Sequence, residues 1–107
     1  MALDATTSIG ITLYAHLAIH HPAPGKFHDA LAAAQVILDS IEGAQGLQEG
    51  YIGHNSSHSE VFAMTLWQEP GQFAEVLPAI QAAVSRTGIR SWEVQSPDVL
   101  KFVEIED

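Results

Sequence analysis

The sequence predicts an α+β domain of ferredoxin-like order, β-α-β-β-α-β: an antiparallel sheet with two helices on one face. Three observations predict it. Period-two alternation marks strands at the start, middle and end of the chain. Two apolar stripes at helical spacing separate them. A short polar turn joins the second strand to the third.

Residues 1–8 are small and polar and read as a loose arm, leaving 9–107 as one domain. From Ile9 the chain alternates: Ile9, Ile11, Leu13, Ala15, Leu17 and Ile19 share one face. Thr12, Tyr14, His16, Ala18 and His20 share the other. The run His21-Pro22-Ala23-Pro24-Gly25 ends this first strand. Phe27, Leu31, Ala34, Leu38 and Ile41 then recur at helical spacing, and Gly43 and Gly46 close the helix. Leu47 to His54 reads as the second strand, Asn55-Ser56-Ser57-His58 as a turn, and Glu60 to Gln68 as the third strand. Pro70 suits the first turn of a second helix, carried by Phe73, Val76, Leu77, Ile80 and Val84 and ended before Gly88. Pro78 inside it predicts a kink or a later start. Residues 89–97 are ambiguous between strand and connector, and Val99 to Ile105 is the last strand. In this order the first and third strands are expected as parallel neighbours at the sheet centre. The His20 end of the first would then lie beside Trp67, with His54 and His58 at the opposite end.

The third strand, Val61-Phe-Ala-Met-Thr-Leu-Trp67, is apolar on both faces. A sheet with one solvated face alternates apolar and polar. The two helices can cover one face only, so a homodimer is expected, with its sheets face to face.

Composition narrows the function. The 107 residues are 47% hydrophobic, with 13 acidic against 4 basic side chains and a net charge of −9. Scattered Lys26, Arg86, Arg90 and Lys101 make no phosphate-binding surface, so nucleic acid is excluded as a partner. An anionic membrane would repel the chain. No cysteine is present, which removes disulfides, thiolate catalysis and Cys-ligated metals. The start has no signal-peptide pattern, and a cytoplasmic location is expected. Nucleotide-binding and hydrolase motifs are missing, and no H-E-x-x-H occurs.

The strand into Trp67, the acid Glu69, and Phe73-Ala74 opening the second helix resemble the antibiotic biosynthesis monooxygenase type of dimeric α+β barrel. The likeness covers most of the domain by element order, and only the Trp-x5-Phe-Ala stretch is specific. It implies a pocket between sheet and helices beside Trp67, and an oxygenase acting on a small aromatic or polyketide-like substrate without a cofactor. Quinone-forming members carry an Asn where this chain has Ala63. Haem-degrading members carry a helical His, and residues 70–86 contain none.

Trp67 is the expected pocket wall, able to stack on a flat substrate. His20 or His21 is the candidate base, because imidazole titrates in the useful range. Tyr14, His16, Tyr51 and Arg90 are candidate substrate contacts: hydroxyls for a phenol or carbonyl, a guanidinium for an anionic group. His54 and His58 flank the turn and could meet across it, and His28 is expected to be exposed. No metal site is expected, although a site built from the six histidines is a weaker reading. The main alternative is a non-catalytic dimer that holds an apolar ligand or serves as a scaffold. A cavity of several hundred Å³ with convergent polar groups separates ligand site from scaffold.

Overall fold

The computed structural model describes residues 12–106, with side chains to residue 99. The loose arm expected at 1–8 and the strand start at Ile9 lie outside the described residues. The elements are β1 (Thr12–His20), α1 (Phe27–Asp39), β2 (Leu47–His54), β3 (Val61–Trp67), α2 (Pro70–Thr87), a short 3-10 helix (Ile89–Trp92) and β4 (Asp98–Glu106). The ambiguous stretch after α2 is thus a 3-10 turn followed by an extended connector.

The four strands form one sheet in the order β2-β3-β1-β4. Every neighbouring pair is antiparallel. This corrects the expectation that β1 and β3 run parallel. The α1 crossover returns β2 in the direction of β1, and the hairpin then reverses β3. His20 therefore pairs with Val61 at the start of β3, while Trp67 pairs with Tyr14. His54 also pairs with Val61, so His54 and His58 stand at the His20 end of the sheet and not opposite it.

The helices cover the face carrying Tyr14, His16, Ala18 and His20 on β1 and Val61, Ala63, Thr65 and Trp67 on β3. Near the hairpin, buried Val61, Phe27, Ala30, Ala33, Ala34 and Ile89 form one core cluster. Alanine on α1 lets the helix approach the strand closely. At Gly50 a Cβ would stand 2.6 Å from Leu38 Cδ1, so glycine is what allows α1 to seat this leucine on β2. At the other end Ile41, Trp67 and Phe73 make a second cluster.

α2 runs unbroken through Pro78 from Pro70, so a later start is not found. Its first turn is capped when the Glu69 N–H donates to Gln72 Oε1 at 2.9 Å. It ends on Gly88 in the left-handed conformation, φ 73°. On the other face of the sheet Leu13, Ala15 and Leu66 pack with Met64. The register adds Leu17 opposite Met64 and Ile19 opposite Phe62 to this apolar face. Between β1 and β4 the pairing slips once: Ala15 faces Val103, but Leu17 faces Leu100.

Among the described residues no helix is long and apolar enough to cross a membrane.

Candidate functional site

A cavity of about 470 Å³ lies between the sheet and the two helices. Small side chains make it. Ala18 and Ala63 pair across β1 and β3 on the helix-facing side, and both line the space. Ala34 of α1 and Ala74 of α2 line it too. A Leu at any of these points would occupy volume that alanine leaves open. Ile37, Leu38, Leu77, Ile80 and Val84 supply most of the remaining wall. The volume and apolar character fit a small-molecule site.

Five polar side chains interrupt this wall: His16, His20, Thr65, Gln81 and Arg90. His16 stacks on Phe73, with ring centroids 3.8 Å apart and planes 17° from parallel. The Thr65 hydroxyl accepts a hydrogen bond from Trp67 Nε1 at 2.7 Å and keeps its own hydrogen as a donor. Arg90 is exposed at the rim, where its planar fork can meet an anionic substituent without being buried.

His20 is the best-supported titratable group. Its Nδ1 lies 2.5 Å from Glu93 Oε1, and both side chains are nearly buried. Glu93 is brought there by backbone pairing. Pro22 bridges Glu93, the Ala23 N–H donates to the Trp92 carbonyl, and the Val94 N–H donates to the His21 carbonyl. The connector after the 3-10 helix is thereby stitched to the end of β1. Buried Ile89 holds the other end of the stitch in the core.

The other expected site residues are placed elsewhere. His21 is buried but does not line the cavity; its Nε2 is 3.0 Å from Asp98 Oδ2 and its Nδ1 3.7 Å from Glu60 Oε2. Trp67 is 0% exposed and packs with Ile41 and Phe73, its ring edge-on to Phe73 at 5.9 Å. It does not line the cavity, which corrects its reading as the wall. Instead it braces two residues that do, Thr65 and Phe73. Tyr14 packs against the same aromatic cluster. Tyr51 is 41% exposed and pairs with Met64 on the face away from the helices. The structure therefore brings together His16, His20 and Arg90, and separates them from Trp67, Tyr14, Tyr51 and His21.

Glu93, Thr65 and Gln81 are the polar residues of the site that the sequence does not single out. Glu93 lies 73 residues from its partner His20, with no motif linking the two. His54 and His58 do meet, with ring centroids 5.1 Å apart, and Phe27 stacks on His58 at 4.2 Å. His28 is exposed, as expected. Among the described residues no group of three or more His, Cys, Asp or Glu side chains is placed to hold a metal ion.

No protein-family model matches the chain, and no curated protein matches it in sequence. Solved structures do match in fold. A structure of Rv0793 from Mycobacterium tuberculosis superposes with a TM-score of 0.75 at 11% identity, covering 89% of this chain and 97% of that one. A protein from Nitrosomonas europaea, provisionally assigned as an antibiotic biosynthesis monooxygenase, gives 0.73 at 11%, covering 92% of each chain. One from Chloroflexus aurantiacus with the same provisional assignment gives 0.62 at 14%, covering 85% and 93%. The chain has the ferredoxin-like α+β fold of the structures that carry this name. At these identities the likeness is one of fold.

Proposed function

We propose that the chain is a monooxygenase of the antibiotic-biosynthesis type, acting on a small hydroxylated aromatic without a bound cofactor. One observation carries the reading: an apolar cavity of ligand size into which an imidazole backed by a carboxylate is built. The fold likeness to structures named as such monooxygenases supports it by analogy.

The chemistry needs little from the protein. His20 takes the proton of a substrate hydroxyl, and the electron-rich anion reduces dioxygen. A C–O bond forms to give a hydroperoxide, which loses water to leave a new carbonyl. In sum a ring C–H beside the activated system becomes C=O, one dioxygen is consumed and one water is released. The apolar walls exclude bulk water and strengthen each polar contact inside. Arg90 and the Thr65 hydroxyl are the groups able to meet negative charge as it develops.

The test is oxygen uptake with a panel of hydroxylated aromatics, measured on the wild type, His20→Gln and Ala63→Leu. His20→Gln can keep a hydrogen bond to Glu93 but cannot act as a base, and turnover should fall by about 10²–10⁴-fold with ligand still bound. Ala63→Leu fills the cavity floor and should abolish binding itself. Binding in the wild type and His20→Gln, lost in Ala63→Leu, with uptake in none of the three would favour the second reading, a non-catalytic ligand-binding module. Arg90 and His20 would then serve as recognition groups only.

The working unit we infer is a homodimer. The face bearing Leu13, Leu17, Ile19, Phe62, Met64 and Leu66 is apolar and has no helix over it. Four half-buried apolar side chains on two paired strands, Leu17, Ile19, Phe62 and Met64, are more than the scattered exposure ordinary in monomers, while Leu13 and Leu66 beside them are buried within the chain. Light scattering that returned the mass of a single chain at micromolar concentration would sink this part of the reading.

A further inference from the structure

We propose that Glu93 is the positioning residue for His20, fixing Nε2 as the nitrogen that accepts a proton from a molecule in the cavity. The identity of the proton donor, an acidic substrate hydroxyl, rests on the oxygenase reading above; the His20–Glu93 dyad does not.

The geometry is specific. A carboxylate only accepts hydrogen bonds, so a neutral imidazole facing it at Nδ1 carries its proton there. That leaves the Nε2 lone pair for a molecule in the cavity, which the His20 side chain lines. The contact is 2.5 Å, with the two side chains only 12% and 5% exposed. Charge-assisted hydrogen bonds are the short, strong ones, and low exposure keeps water from competing.

Other charged groups stand near but are committed elsewhere. Glu60 and Asp98 both face His21, on either side of its ring. Arg90 lies at the cavity rim, and His16 stacks on Phe73 farther along β1. Glu93 is therefore the carboxylate that His20 meets. It is not a flexible surface acid that happens to be in reach. Its own backbone is bridged to Pro22, and the residues on each side of it hydrogen-bond to His21 and Ala23. The same stitch that anchors the connector sets the ring orientation. Glu93 touches no molecule in the cavity by this account; it acts through His20.

The dyad is testable without turnover. In ¹⁵N-labelled full-length protein, long-range ¹H–¹⁵N correlation reports which ring nitrogen of His20 is protonated. The wild type should show the Nδ1–H tautomer. Glu93→Gln can turn its amide NH₂ toward Nδ1, so His20 should move to Nε2–H or to a mixture. Glu93→Asp should retain Nδ1–H in part. A wild-type ring protonated at Nε2, or a tautomer unchanged in Glu93→Gln, would overturn the proposal. If Glu93→Gln does not fold, the wild-type spectrum and Glu93→Asp decide. With a turned-over substrate, Glu93→Gln should lower kcat by roughly tenfold to a hundredfold with KM within about twofold. A KM rise at unchanged kcat would make Glu93 a merely structural residue. Absence of uptake even in wild type, alongside the expected tautomers, would remove the oxygenase reading and leave the dyad standing.

Discussion

β3 has two ends that differ in kind. At Trp67 the helix-facing row closes on itself: Trp67, Phe73 and Ile41 are buried together, and the single polar atom of the indole is answered by Thr65. At Val61 the row opens into titratable groups: His20 with Glu93, His21 with Glu60 and Asp98, and His54 with the Asn55 carbonyl. The cavity lies between them, with Thr65 and Phe73 drawn from one end and His20 and Arg90 from the other. One end gives the site its rigidity, and the other gives it its chemistry. The largest side chain in the strand marks the first role, not the second.

Three substitutions would break or sharpen this contrast. Trp67→Ala should have the largest effect, about 3–5 kcal/mol of lost stability, because it empties the centre of a closed cluster. Urea denaturation reads it; a loss under 1 kcal/mol would mean the Trp67 end is not a structural anchor. Thr65→Val comes next. It preserves shape but leaves the buried indole N–H without its acceptor, for about 1–3 kcal/mol. A midpoint equal to wild type in the same denaturation would show that the indole finds another acceptor. His21→Ala should cost least, about 1 kcal/mol or less. Its partners Glu60 and Asp98 are 45% and 65% exposed, and water screens such pairs. A Tm drop as large as that of Thr65→Val would mean that the polar end also carries stability.

Much of the fold was legible in the residues. Alternation from Leu13 to Ile19 reported β1, the Phe27-to-Ile41 stripe reported α1, and Pro70 with Gly88 bracketed α2. The direction of β3 was harder, because no residue encodes it. It follows from counting reversals: one crossover keeps direction and one hairpin inverts it, so β3 must oppose β1. Reading the two strands as parallel sets the His20 end beside Trp67, whereas the ladder pairs Trp67 with Tyr14 and His20 with Val61. The cavity itself was legible only in part. His16, His20 and Arg90 are of the right chemical type, but an empty volume is made by what is missing. Ala18, Ala34, Ala63 and Ala74 look like packing residues one at a time and become a cavity only when placed together. Glu93 was invisible as a partner for the same reason: a Pro22–Glu93 bridge, not a motif, joins it to His20.

The register slip between β1 and β4 has a consequence for chain length. Between Ala15 and Leu17 there is one residue of β1, while between their partners Val103 and Leu100 there are two of β4. β4 thus holds one residue more than the ladder needs, a bulge that absorbs it locally. Deleting Lys101 would leave Val99 opposite Ala18 and Val103 opposite Ala15, straightening the strand without shifting either half. The two halves of β4 are in effect separately editable. Before the slip Asp98 to Leu100 pair with Ile19 to Leu17, and after it Val103 to Glu106 pair with Ala15 to Thr12. A designer could alter one without renumbering the other, whereas the stretch from Ile89 to Pro97, sewn at Glu93, has no such slack.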